Sequence, residues 1–119
     1  MAHISLSQIV AVQEALSDPA RILILRLLRE RELLVGELVA VLKEPQHKVS
    51  RHLAVLKSAG LVRDWREGTR VHYEIAPGLA PEWLASLEKL RHAWDLSTEV
   101  QAVLWRLREN NFRPRPKLK

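Results

Sequence analysis

Gln46-His-Lys-Val-Ser-Arg-His-Leu-Ala-Val-Leu-Lys-Ser-Ala-Gly60 reads as a helix with one narrow apolar stripe and a glycine stop. A turn of about 100° per residue gathers Val49, Leu53 and Leu56 into a single sector, which must face a core. The opposite sector collects His47, Ser50, Arg51, Ala54 and Ser58, with Lys48 and Val55 on its flank. Gly60 ends the helix because it adopts positive φ at low cost. Directly afterwards, Leu61–Trp65 and Arg70–Ile75 are runs suited to strands, separated by Glu67-Gly68-Thr69, which predicts a hairpin.

Upstream of this stretch, Ser5 with Gln8 three residues on is a capping pattern, and Ile9, Val12 and Leu16 follow at helical spacing. A first helix should therefore stop before Asp18-Pro19, where Asp18 caps a second helix and Pro19 takes its first position. Ile22, Leu23, Leu25, Leu27 and Leu28 make that second helix strongly apolar. A shorter helix covers Val35–Leu42, and Pro45 forces a break before the quoted stretch. Downstream, Pro77-Gly78 and Pro81 lead into a helical segment from Glu82 to Glu109. Its apolar stripe of Trp83, Leu87, Leu90 and Trp94 is out of phase with Leu96, Val100, Val103 and Leu107, which predicts a break or kink near Asp95-Leu96-Ser97. Helix, helix, short helix, turn, helix, hairpin, helix is the order of a winged helix-turn-helix, a mainly α fold with a small β-hairpin.

At 119 residues the chain is the size of one domain. We expect a winged helix-turn-helix domain over residues 1–111, ending in a C-terminal dimerisation helix or helices, and a basic disordered tail over 112–119. The chain has no cysteine, which excludes disulfides, thiolate nucleophiles and thiolate metal sites. No apolar run is long enough to span a bilayer and the start lacks a secretory pattern, so a cytoplasmic protein without membrane contact is expected. The formal charge of +5 admits a polyanion partner without proving one. Its distribution is more informative: residues 46–72 carry Lys48, Arg51, Lys57, Arg63, Arg66 and Arg70 against Asp64 and Glu67 alone.

The exposed face of the 46–58 helix suits base edges. Gln46 lies at its start with an amide that can pair with adenine, Arg51 can bind guanine or phosphate, and Ala54 and Ser58 are small enough to let the backbone enter a groove about 12 Å wide. A solvated polar face is the alternative for an isolated helix. The hairpin alters the balance, because Arg63, Arg66, Arg70 and His72 surround a glycine tip with Thr69, as a wing on a phosphate backbone would require. Arg21, in the first turn of the second helix, is a further phosphate candidate.

Three stretches, Glu14-Ala-Leu-Ser-Asp-Pro-Ala-Arg-Ile-Leu-Ile-Leu-Arg-Leu-Leu28, Val49-Ser-Arg-His-Leu-Ala-Val-Leu-Lys-Ser-Ala-Gly-Leu-Val62 and Arg66-Glu-Gly-Thr-Arg-Val-His-Tyr73, closely resemble the ArsR/SmtB family of repressors. The resemblance covers residues 9 to 80. It implies a winged helix, a homodimer built by the first and last helices, and a repressor that binds an operator palindrome in double-stranded DNA and is released by an effector. It also makes Gln46, His47, Ser50 and Arg51 the base-facing positions. The turn before the recognition helix departs from the family pattern: Lys43-Glu44-Pro45 stands where a glycine, an apolar residue and a capping serine are usual, so Glu44 is the expected substitute cap.

The family's cysteine metal site is absent, since Leu34-Val35-Gly36 occupies its place, and a second family site lacks its later histidine. Glu88, His92, Asp95 and Glu99 recur at helical spacing but lie opposite the tryptophan stripe, where a solvated face is expected rather than a ligand set. No metal site or cofactor is therefore predicted and the effector stays unidentified. A metal-responsive repressor with a non-standard His/carboxylate site is one alternative, and a protein-interaction module using the same fold is another. An enzyme is not expected, because there is no phosphate-cradling glycine loop and no paired carboxylates beside a histidine in a pocket.

Overall fold

The computed structural model describes residues 3–110; the basic tail over 112–119 lies outside them. Helix α1, Leu6–Ala15, begins with the reciprocal cap. Ser5 Oγ accepts the Gln8 N–H at 3.1 Å and Gln8 Oε1 accepts the Ser5 N–H at 2.8 Å. Helix α2, Pro19–Glu30, is capped by Asp18, whose Oδ1 accepts the Ala20 N–H at 2.8 Å. Strand β1, Leu33–Leu34, is followed directly by helix α3, Val35–Leu42, and helix α4, Gln46–Ser58. Strands β2, Val62–Glu67, and β3, Arg70–Ile75, make the hairpin. Helices α5, Pro81–Trp94, and α6, Thr98–Asn110, complete the chain.

The sheet has antiparallel order β1-β3-β2, with Leu34 opposite His72 and Trp65 opposite His72 on the other side. Glu67 pairs with Arg70, leaving Gly68-Thr69 as a two-residue turn, and Gly68 has φ 62°. Such a turn needs positive φ, which keeps glycine at the tip of the hairpin. Gly60 (φ 80°) closes α4: its N–H donates to the Lys57 carbonyl and the Leu61 N–H to the Leu56 carbonyl, so two carbonyls of the last turn are satisfied.

The core is aliphatic. Leu27, Leu33, Leu38, Leu53, Leu56 and Leu61 are fully buried with Ile24, Val41 and Val49, and each such side chain contributes about 1.5 to 3 kcal/mol of transfer free energy. The α4 stripe of Val49, Leu53 and Leu56 faces this core as its spacing requires. The C-terminal segment breaks where its two apolar stripes fall out of phase. Ser97 Oγ accepts the Val100 N–H at 3.3 Å and starts α6, which buries Val100, Val103, Leu104 and Leu107. Helix α5 has no fully buried residue; Trp83, Leu87 and Trp94 are partly covered, and Leu84 and Leu90 are exposed.

Two expectations are corrected here. Glu44 does not cap α4, because Pro45 takes the cap position and no side chain bonds the first turn. The sharp turn is made instead by Lys43, in the left-handed conformation at φ 56°. Nor are Glu88 and Asp95 simply solvated. Glu88 accepts from Arg29 of α2 at 2.7 Å and Asp95 from Arg26 at 2.6 Å, because the long arginine side chains of α2 reach across to α5.

Candidate nucleic-acid interface

Helices α3 and α4 and the hairpin leave an open groove of about 520 Å³ between them. Gln46 and Ser50 line one wall, Arg66, Thr69 and Arg70 the other, with Val71 and Tyr73 at the base. Five of the residues singled out from the sequence thus share one concavity. His47, Lys48 and Arg51 are exposed on the same helix. No side chain caps α4, so its first amides keep a local positive potential at the groove.

Charge pairing divides the cations into two sets. Arg26, Arg29, Lys57, Arg63 and Arg91 all engage carboxylates. Among the described residues, Lys48, Arg51, Arg66 and Arg70 have no ion-pair partner within 4.0 Å. Lys89 of α5 and Arg108 of α6 also lack an ion pair among the described residues, but these four cluster around α4 and the hairpin tip. Asp64, the acid lining the groove, is engaged by Lys57 at 2.9 Å, and that hydrogen bond raises the Lys57 ammonium above its ordinary value. The contact also ties β2 to the C-terminal half of α4. Burial pushes the nearby Tyr73 hydroxyl up, so it stays protonated at neutral pH.

Three predicted contacts lie elsewhere. Alternation along β3 turns His72 to the face opposite Val71 and Tyr73, where it is 3 % exposed with both ring nitrogens engaged. Arg63 projects on that same face and bonds Glu74. Arg21 donates to the carbonyls of Ala15 at 2.8 Å and Glu14 at 3.0 Å and meets His52 Nδ1 at 3.2 Å. It joins the end of α1 to the back of α4 rather than facing outward. In the hairpin the missed signal was register: period-two alternation separates Arg66 from Arg63 and His72 once the turn is fixed at Gly68-Thr69.

Residues 18–64 match the family described as bacterial regulatory protein, arsR family. The chain is 40 % identical over 98 residues to the arsenical resistance operon repressor of Escherichia coli K12, covering 81 % of each protein. It is 48 % identical over 62 residues to the HTH-type transcriptional repressor SmtB of Mycobacterium tuberculosis, covering 52 % of this chain and 46 % of that one. Among solved structures it is similar to HlyU of Vibrio cholerae, with TM-score 0.66, 33 % identity, and coverage of 74 % of this chain and 92 % of that chain. A homodimeric winged helix-turn-helix DNA-binding domain from Mycobacterium bovis gives TM-score 0.66 at 32 % identity, covering 80 % and 91 % respectively.

Proposed function

Because this chain belongs to the ArsR family of bacterial regulatory proteins, we propose that it works as a homodimeric repressor that reads an operator with α4 and grips the flanking backbone with its wing. It is a DNA-binding transcriptional regulator of winged helix-turn-helix form. The observation that carries the finer reading is the unpaired set Lys48, Arg51, Arg66 and Arg70 around a groove also lined by Gln46, Ser50 and Thr69. Cations left without partners while their neighbours are neutralised suit a surface completed by phosphate.

In this reading Gln46, His47, Ser50 and Arg51 face base edges, since α4 offers its exposed N-terminal half to a major groove. Lys48, Arg66, Thr69 and Arg70 contact the backbone and fix register. The apolar side chains that a partner subunit would cover are Leu6 and Val10 of α1 with Leu84 and Leu90 of α5. Such a dimer sets two recognition helices for two half-sites about one helical turn apart.

Release of the operator runs by another route than thiolate coordination, since the chain has no cysteine. The described residues contain no helix long and apolar enough to cross a membrane, and a repressor of this kind works in the cytoplasm. In this reading residues 1–111 act as one domain, and residues 112–119 add sequence-independent phosphate contacts. Selection of bound duplexes from random sequence tests the reading. A palindromic consensus, protected by a protein that sediments as a dimer, is expected, whereas equal retention of all duplexes would overturn it.

A further inference from the structure

His72 sits in the middle of β3, buried, with a carboxylate at each ring nitrogen. Nδ1 lies 3.1 Å from Glu32 Oε2 and Nε2 lies 3.2 Å from Glu67 Oε1. The ring is stacked on Trp65, with centroids 4.9 Å apart and planes within 6°. An ionised carboxylate accepts hydrogen bonds and donates none, and a neutral imidazole carries a single N–H. The doubly protonated ring satisfies both contacts at once; the neutral ring turns a lone pair toward one carboxylate oxygen. The Glu32 side chain is 10 % exposed and that of Glu67 is 45 % exposed, so Glu67 is the partner free to leave.

Glu67 is the last residue of β2, next to Arg66 in the chain and opposite Arg70 across the turn. We propose that His72 is a positioning residue for the wing: its second ring proton holds Glu67 back from Arg70, the cross-strand neighbour on the same face, and DNA affinity falls as that proton leaves. The proposal rests on the wing contacting phosphate. Once released, Glu67 brings a mobile negative charge to Arg70 and removes the tie between the tip and the turn before β1.

Arg70 stands two residues before the ring on the same face, without an ion-pair partner among the described residues, while Arg63 and Glu74 bond each other on that face. Arg26 and Arg29 of α2 turn to Asp95 and Glu88, and Glu37 of α3 accepts the Leu34 N–H. Arg31 stands beside Glu32 at the end of α2. The protonated ring favours the bound wing, so affinity is greatest at low pH and lost as pH rises.

The test measures fluorescence anisotropy of a labelled duplex, recovered by selection, at constant salt from about pH 6 to about pH 8. All proteins are full-length and carry His47→Gln, which removes the exposed one of the two histidines of α4; His52, on the inner side against Arg21, is common to every protein compared. The background protein should lose about three- to ten-fold in affinity over this range. Adding Glu67→Gln should give tight binding at every pH, because the introduced amide donates to the bare Nε2 of the neutral ring; adding His72→Gln should give weak binding with little pH dependence. A slope that persists in the Glu67→Gln protein overturns the proposal. In the free protein, the ring-carbon NMR titration of His72 should move to lower pH on Glu67→Gln, and an unmoved titration overturns the bridge whatever the DNA result. Unchanged affinity in Arg66→Ala and Arg70→Ala sinks the wing reading separately.

Discussion

Arg26 of α2 and Asp95 at the end of α5 form a two-pronged ion pair, Nε to Oδ1 at 2.6 Å and Nη2 to Oδ2 at 3.2 Å, across 69 residues of sequence. Arg26 is 6 % exposed although it belongs to an otherwise apolar helix face, and Glu30 holds its Nη1 at 2.7 Å. The Arg26 guanidinium holds the Asp95 carboxyl below its usual range, against the opposing effect of burial.

Removing one partner leaves a mostly buried guanidinium short of acceptors. Asp95→Ala should therefore destabilise the fold by about 1 to 3 kcal/mol. Urea denaturation checks this, as a lower midpoint with unchanged slope.

Glu88 gives a pH prediction. Hydrogen bonds from Arg29 first and Arg91 second lower its carboxyl to about 2, against 4.5 for an ordinary glutamate. A depressed folded-state value means the stabilisation is complete above about 4.5 and is lost as pH falls through about 2. Stability curves of the parent and Glu88→Gln should differ at neutral pH and converge at the acid end. A difference independent of pH would contradict the pairing.

Arg51→Ala and Leu53→Ala separate reading from folding on one helix. Arg51 is exposed and unpaired among the described residues, and Leu53 is fully buried. The first should cost about 1 to 3 kcal/mol of operator binding with the melting temperature unchanged. The second should cost about 2 to 5 kcal/mol of stability. Anisotropy and thermal melting of both proteins, measured together, decide the matter.

Backbone conformation gives a further pair. Gly60 at φ 80° has open space where a Cβ would stand, so Gly60→Ala should cost about 1 kcal/mol through backbone strain alone. Lys43→Gly, at φ 56°, should relieve strain and stabilise by up to about 1 kcal/mol. Chemical denaturation reads both signs.

The fold was legible wherever periodicity and caps agreed. Ser5, Asp18 and Gly60 mark boundaries that the structure keeps, and Val49, Leu53 and Leu56 face inward as their spacing demands. Strand β1 was not legible: Leu33–Leu34 is too short to show alternation, and its existence depends on β3 lying alongside. Within the candidate interface, residue types indicated Gln46, Ser50, Arg66 and Arg70. They could not separate a groove-lining arginine from Arg63, which tertiary register assigns to Glu74, nor from Arg21, which long-range packing assigns to the end of α1. Glu88 and Asp95 looked solvated because helical phase describes only their own helix, not the arginines that α2 brings to them.

Helix α6 draws a boundary that family resemblance does not. The matched stretch ends at residue 64, yet the interior it encloses is closed by Val103 and Leu107, and Arg106 donates to the carbonyl of Val41 at 2.6 Å near the end of α3. A fragment cut after the hairpin, or after α5, would bare aliphatic surface on α2 and α3 and loosen the helix that leads into the recognition turn. Fragment mapping of this regulator would then mistake an unclosed subunit for one that has lost its DNA contacts.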